Sequence, residues 1–153
     1  MNKASILIVD DNESILETIS AILEAKGYRT DIAKNGKEAI EKSKTNFYNM
    51  ALLDIRLPDI EGTKLLTKMK ETKPKMVKIM VTGYASLQNA VEALNLGADA
   101  YIMKPVDPEN LLKIINEKLK AQREAEKLDR KKVTEWIETR VRMLTKKDNR
   151  DRE

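Results

Sequence analysis

The fold of this chain is decided by residues 6–11, which read Ile-Leu-Ile-Val-Asp-Asp, four apolar residues followed by two acids. A short continuous apolar run is typical of a strand that is buried on both faces of a parallel sheet. Further runs lie at residues 50–53, 77–81 and 100–103, whereas residues 28–32 alternate between apolar and charged or polar side chains. The sequence therefore predicts five strands, with the alternating second strand at an edge of the sheet.

The segments between these strands carry apolar residues at helical spacing, and glycine or proline follows most of them. We expect the third helix to begin after Gly62, to include Met69 and to end before Pro74, and the fifth helix to open at Asp107-Pro108. Alternating strands and helices predict an α/β fold. Its expected form is a doubly wound, five-stranded parallel sheet of order 2-1-3-4-5 (flavodoxin-like), with helices on both faces.

The composition excludes several kinds of chemistry. The chain has 153 residues with no cysteine and no histidine. A disulfide framework, a thiolate or imidazole zinc site, a Ser-His-Asp triad and a phosphohistidine acceptor are therefore ruled out. Any metal must be bound by oxygen ligands. The first eleven residues resemble neither a signal peptide nor a membrane span, so we expect a cytoplasmic protein without membrane contact.

Charge divides the chain into two parts. Residues 1–120 hold 18 basic and 17 acidic side chains, whereas residues 121–153 hold 11 and 8. We expect one domain over 1–120 and a charged helical extension over 121–153, too short for a recognisable output domain. The extension carries an apolar stripe at helical spacing. It must be covered by the first domain, by a partner or, as we favour, by a second copy of the chain; its residues are Val133, Ile137, Val141 and Leu144, with Trp136 beside them.

Charged and hydroxyl residues stand where the predicted strands end. The carboxyl ends of parallel strands meet at one edge, so these side chains should lie together. Neighbouring carboxylates repel unless a cation lies among them, and Mg²⁺ binds through carboxylates, waters and phosphate. An aspartate can also act as a nucleophile and form an aspartyl phosphate, with a lysine and a hydroxyl to hold the phosphoryl oxygens. The residues concerned are Asp10, Asp11, Asp54, Thr82 and Lys104.

Four motifs, taken together, resemble the receiver domain of two-component response regulators, the CheY-like type. They are ILIVDD, LLDIRLPDIEG, VTGYAS and GADAYIMKPVDPENLL, and the resemblance spans roughly residues 3–120. It implies that Asp54 is the phospho-acceptor and that a metal is held by Asp10, Asp11, Asp54 and the backbone carbonyl of Arg56. It further implies that Thr82, Lys104 and Tyr101 bind or sense the phosphoryl group, and that Pro105 follows a cis peptide bond.

The resemblance also implies the function. A histidine kinase or phosphotransfer protein would donate a phosphoryl group in the presence of Mg²⁺, with Mn²⁺ as the alternative cation. The phosphoryl group would then change the face formed by the fourth helix, fifth strand and fifth helix, and this face would control an unknown output protein. A homodimer could form through the same face or through the C-terminal helix. The protein would be a signalling phosphoprotein that catalyses only its own phosphorylation and dephosphorylation. Bulky Arg56 and Tyr84, each two residues past a site residue, predict slow loss of the phosphate.

Three other functions are weaker alternatives. A flavodoxin-like cofactor-binding module needs a phosphate-binding loop after the first strand, where this chain has acids that repel anions. A phosphatase of the haloacid dehalogenase type needs a second acid two residues past the nucleophile, where this chain has Arg56. A DNA-binding regulator acting through the basic extension stays open, although the mixed charges there argue against nucleic acid as a partner.

Overall fold

The computed structural model describes residues 4–83 and 86–151. Strands and helices alternate along the chain, and every predicted element is present. The strands are β1 Ser5–Val9, β2 Arg29–Ala33, β3 Met50–Leu53, β4 Val77–Thr82 and β5 Ala100–Met103. The helices are α1 Glu13–Ala25, α2 Gly36–Thr45, α3 Gly62–Lys68, α4 Leu87–Asn95 and α5 Pro108–Asp151.

The five strands form one parallel sheet of order β2-β1-β3-β4-β5, which confirms the predicted topology. The last residue of β1, Val9, is in register with Ala33 at the end of β2 and with Leu53 at the end of β3. In the last strand pair of the sheet, Thr82 at the end of β4 is in register with Met103 at the end of β5. Residues that follow these strand ends are thereby brought to the same edge.

Helices cover both faces of the sheet because side chains along each central strand point alternately to the two sides. One face packs mainly against α2, α3 and α4, and the other against α1 and the first turns of α5. Both layers bury large aliphatic side chains from β1, β3 and β4, which explains the continuous apolar runs of these strands. The second strand is only partly buried, as its alternating sequence predicts.

Lys78 interrupts the apolar run of β4 and is nevertheless buried. Its Nζ donates a hydrogen bond to the carbonyl of Leu66 in the last turn of α3, at 2.7 Å. Carbonyls in the last turn of a helix lack partners within the helix, and a cation is favoured there. Burial lowers the pKa of Lys78. The lysine therefore completes the end of α3 from within the core.

Two helices differ from expectation. The third helix includes Gly62 and ends at Lys68, because Met69 has extended backbone angles (φ −74°, ψ 144°) and leaves the helical path. The fourth helix has the predicted position, but most of its apolar stripe is exposed and Ala93 is its buried residue. Its exposed apolar residues are Leu87, Val91 and Leu94, and Met103 on β5 is exposed as well. The spacing of its apolar residues predicted the helix correctly, but it did not show that these side chains are exposed.

The chain divides into two compact units, with the boundary between Leu119 and Lys120. The second unit is a helical segment, since α5 is continuous to Asp151. Its exposed apolar side chains include the predicted stripe, and the Arg140 guanidinium lies 5.3 Å from the centre of the Trp136 ring. Glu126 and Arg130 form an ion pair one helical turn apart. Within the described part of the chain, no helix combines the length and apolarity needed to cross a bilayer.

Gly62 allows two segments of backbone to approach closely. Its amide donates to the carbonyl of Ile55 at 2.6 Å, which closes the loop between β3 and α3. A Cβ atom at this position would collide with the backbone carbonyl of Asp54 and with the Cα of Ile55. Because backbone cannot rotate aside as a long side chain can, the loop geometry requires glycine here.

Gly62→Ala should therefore destabilise the protein, by about 2–3 kcal/mol in the free energy of unfolding. Helix propensity alone predicts the opposite sign, because alanine is favoured over glycine in a helix by up to about 1 kcal/mol. Urea unfolding followed by circular dichroism measures the change. Gly83→Ala is the matched control, since an added Cβ there meets no atom of the described residues within 4 Å, and its effect should stay within about 0.5 kcal/mol. Unchanged or increased stability of Gly62→Ala would contradict the steric explanation.

Candidate functional site

Backbone hydrogen bonds to neighbouring strands fix the residues that follow three of the strand ends. The amide of Asp10 donates to the last carbonyl of β2 at 3.1 Å, and the amide of Asp54 donates to the last carbonyl of β1 at 3.0 Å. The amide of Lys104 donates to the last carbonyl of β4 at 2.9 Å. The ladder of the sheet thus continues for one residue beyond each strand. These three side chains start from a rigid frame and converge on one region.

The ammonium group of Lys104 lies between two buried carboxylates. Its Nζ is 2.7 Å from Oδ2 of Asp10 and 3.5 Å from Oδ2 of Asp54. The other oxygen of Asp10 accepts a hydrogen bond from the amide of Asn12 at 2.9 Å. Charge-assisted hydrogen bonds of this length are strong in a partly dehydrated site. Lys104 therefore neutralises part of the acidic cluster, and it is closer to Asp10 than to Asp54.

Asp11 is exposed and completes the cluster. One carboxylate oxygen from each of Asp10, Asp11 and Asp54 lies within 4.8 Å of the others. Oδ1 of Asp54 is buried and has no hydrogen-bond partner among the described residues. Three carboxylates with one ammonium group leave uncompensated negative charge, and hard divalent cations bind carboxylate oxygens in this way. The residues present therefore fit such a cation by the chemistry of their donor atoms.

The environment of Asp54 opposes its ionised form. Burial raises the pKa of this carboxyl group, the positive charge of Lys104 lowers it, and the negative charge of Asp10 raises it again. The net direction is upward because desolvation of a carboxylate is the largest effect. A cation bound among the three acids would act in the same sense as Lys104 and favour the ionised, nucleophilic form.

Comparison with known proteins agrees with this geometry. Residues 6–116 match the model of the response regulator receiver domain. The chain belongs to this family. A crystal structure of a CheY-like receiver domain protein from Methanospirillum hungatei JF-1 is similar with a TM-score of 0.77 and 53% identity, over 81% of this chain and 99% of that one.

Curated relatives are longer than this chain. The transcriptional regulatory protein ZraR of Klebsiella oxytoca is 36% identical over 117 residues, which are 76% of this chain and 26% of ZraR. The transcriptional regulatory protein DltR of Streptococcus agalactiae serotype III (strain NEM316) is 38% identical over 107 residues, 70% of this chain and 48% of DltR. The receiver thus spans about a quarter to a half of the length of these regulators.

Thr82 and Tyr101 are two further predicted site residues, and they differ in burial. Thr82 is fully buried at the end of β4, where its side chain lowers the pKa of Asp54 by hydrogen bonding. Tyr101 on β5 is partly buried, and its hydroxyl oxygen is enclosed without a hydrogen bond of normal geometry to the described residues. Burial raises the pKa of Tyr101, with a weaker opposing effect of the Ser86 backbone. The ring of Tyr101 therefore points inward.

The remaining predicted positions are distributed around this centre. The peptide bond between Lys104 and Pro105 is cis. Arg56 lies on the loop after β3, where its backbone forms an isolated antiparallel bridge with that of Glu61, and the residue is exposed. Tyr84 lies outside the described residues. Slow loss of phosphate, expected from Arg56 and Tyr84, therefore stays a prediction.

Two features of the receiver site are missing from the sequence analysis. One is the ion pair between Lys104 and Asp10: the strand ends predict that the two residues lie close together, but not that Lys104 is closer to Asp10 than to Asp54. The other is Asp59, whose carboxylate binds the first amides of α2. Its position inside the LPDIEG motif marks Asp59 in the sequence, but the motif does not show that it binds the amides of α2.

The raised pKa of Asp54 should make stability depend on pH. Between the unfolded and the folded pKa the folded protein binds more protons than the unfolded chain, so the free energy of unfolding falls as pH rises through this interval. Asp54→Asn lacks the titrating group. In a chelating buffer we expect this variant to be more stable than the wild type at neutral pH, with the difference shrinking below the ordinary aspartate pKa of about 3.9.

Urea unfolding at a series of pH values measures this difference. Asp129→Asn, which changes an exposed acid of the extension, is the control and should follow the wild-type profile. A constant difference between Asp54→Asn and the wild type at every pH would show that the buried charge is not its cause.

Proposed function

We propose that this receiver accepts a phosphoryl group on Asp54, that Mg²⁺ is required, and that the donor is a phosphohistidine of a histidine kinase or phosphotransfer protein. The observation that carries the proposal is the cluster of Asp10, Asp11 and Asp54, in which Lys104 contacts two of the acids and one Asp54 oxygen is buried without a hydrogen bond to the residues that the structure describes. A signalling role, rather than turnover of a substrate, follows from the family.

Each residue then has a distinct part in the transfer. Asp54 forms the new bond to phosphorus while the phosphorus–nitrogen bond of the donor breaks, and the imidazole leaves with a proton. Asp10, Asp11 and the carbonyl of Arg56 would hold Mg²⁺ beside Asp54. The bound cation would neutralise charge on the phosphoryl oxygens and favour the ionised acceptor. Lys104 pairs with one of these oxygens once the phosphate carries a charge that competes with Asp10.

Thr82 and Tyr101 would report the modification to the surface. A phosphoryl group adds negative charge and acceptor oxygens beside a buried hydroxyl, so Thr82 gains a new hydrogen-bond partner. Movement of Thr82 changes the space in which the inward-pointing Tyr101 packs, and β5 connects that ring to the exposed residues of α4 and β5. We propose that this face, formed by α4, β5 and α5, is the surface that changes.

Two surfaces are available for an output partner or for a second copy of the chain. One is the apolar face of α4 with Met103, and the other is the stripe of the extension around Ile137. Exposed apolar side chains at helical spacing are typical of helix-mediated association. We propose homodimer formation through the extension, with the α4 face as the alternative contact.

A second function is supported by the relatives that are transcriptional regulators. Binding of DNA through the basic extension would show as affinity that decreases steeply with salt, because each phosphate contact releases counterions. Weak DNA binding that does not change with salt would contradict this second function and favour a protein as the output partner of the receiver.

Incubation with a small acyl-phosphate donor and Mg²⁺, followed by intact mass spectrometry, tests the main proposal. We expect one phosphate on the wild type and none on Asp54→Asn, because the nucleophile is absent. Lys104→Ala should be phosphorylated about a hundredfold more slowly, since one preorganised positive group is lost. Asp129→Asn serves as the control and should react like the wild type. Failure of the wild type with the small donor and with histidine kinases would identify a receiver that does not accept phosphate.

Light scattering over a concentration series, with and without a phosphoryl mimic, tests self-association. Ile137→Glu should weaken the dimer about tenfold or more, because a carboxylate would be placed in an apolar contact. Val91→Glu is the matched substitution on α4 and should have little effect if the extension is the interface. The reverse pattern would assign the interface to α4, and a monomeric wild type under both conditions would reject the dimer.

A further inference from the structure

The helix α2 is capped twice at its start, by its own chain and by the loop that follows the phospho-acceptor. Asn35 precedes the helix, and its side chain accepts a hydrogen bond from the amide of Glu38 at 2.8 Å. Asp59 reaches from the loop between β3 and α3, where its two oxygens accept the amides of Gly36 and Lys37 at 2.8 and 2.9 Å. The first amides of a helix lack partners within it, and a carboxylate satisfies them well.

The loop that carries Asp59 is fixed at its base as well as at its tip. At the base, the amide of Gly62 donates to the carbonyl of Ile55, and the backbone of Arg56 forms an antiparallel bridge with that of Glu61. At the tip, Ile60 packs so closely on the start of α2 that a Cβ atom at Gly36 would collide with its side chain. The two carboxylate oxygens of Asp59 add two hydrogen bonds to the same start of α2. The loop therefore cannot tilt without breaking contacts at one of these points.

The segment that Asp59 binds is also hydrogen-bonded to Asp10, a candidate metal ligand. Ala33 accepts the backbone amide of Asp10 at 3.1 Å, three residues before Gly36. The segment of residues 33–37 is consequently attached to Asp10 on one side and to Asp59 on the other. Arg56, whose carbonyl would complete the cation site under the proposed function, is three residues before Asp59 on the braced loop.

We propose that Asp59 is a positioning residue for the divalent cation site: its bidentate cap on α2 fixes the loop of residues 55–62 relative to Asp10. The inference rests on the proposed function. A loop held before the cation arrives loses little conformational freedom on binding, whereas a loose loop must be ordered at that moment. Groups that orient metal ligands typically change affinity by ten- to a hundredfold when they are removed.

The test compares three variants for Mn²⁺ affinity by calorimetric titration and for stability by urea unfolding. Asp59→Ala removes both accepted hydrogen bonds and should weaken Mn²⁺ binding about tenfold. Asp59→Asn keeps one acceptor oxygen and should recover part of the affinity. Asn35→Ala removes the hydrogen bond that the chain's own N-cap makes to Glu38 and leaves both hydrogen bonds of Asp59 in place, so it should lower the urea midpoint while leaving Mn²⁺ affinity near that of the wild type.

Phosphorylation from the small acyl-phosphate donor gives a second, independent readout. For Asp59→Ala we expect the Mn²⁺ concentration at half-maximal rate to rise about tenfold, with the rate at saturating metal unchanged. This division distinguishes positioning of the cation site from damage to the acceptor itself. A lower maximal rate with unchanged metal dependence would overturn the proposal.

The outcomes also separate this inference from the function on which it rests. If the wild type binds no Mn²⁺ and accepts no phosphate, the proposed function fails, and the positioning role fails with it. If the wild type does both and Asp59→Ala binds Mn²⁺ equally well, only the positioning role is overturned. Equal losses of affinity in Asp59→Ala and Asn35→Ala would overturn it too, because they would trace the effect to the stability of α2.

Discussion

The structure depends on a concentration of negative charge at one edge of the sheet. Three carboxylates have oxygens within 4.8 Å of one another, two of these acids are buried, and a single ammonium group lies among them. Such an arrangement is unfavourable in isolation because buried like charges repel and have lost their hydration. It persists because the backbone places the acids there, and its unfavourable energy is what a cation and a phosphoryl group can exploit.

The backbone frame around this charge is built from close approaches. Each of Asp10 and Asp54 extends the ladder of the sheet by one hydrogen bond, and Gly62 lets the following loop return to the backbone of Asp54 and Ile55. Thr82 is fully buried and the hydroxyl of the partly buried Tyr101 is enclosed, so under the proposed function a change at Asp54 would alter packing and not only a solvated surface. Under the proposed function, these two residues would link a phosphoryl group at this edge to the shape of α4 and β5.

Much of this architecture is predictable from the sequence because its causes are local. Continuous apolar runs indicate buried parallel strands. The charged residue that follows each run is then enough to predict that Asp10, Asp54 and Lys104 lie close together. Lys78 shows the limit, since its burial depends on a carbonyl of α3 that no nearby sequence specifies. The exposed stripe of α4 and the cap by Asp59 escape prediction for the same reason: each is decided by a tertiary neighbour, or by the lack of one, and not by periodicity.

The strand-end hydrogen bonds have a consequence for how the site can change. The donors that place Asp10, Asp54 and Lys104 are main-chain amides, which nineteen of the twenty amino acids supply equally well. Side-chain identity at these positions is consequently almost independent of the scaffold, with proline the one residue the geometry forbids. Evolution or a designer can therefore rewrite the chemistry of this edge, exchanging acids for amides or apolar groups, while the sheet beneath keeps its architecture.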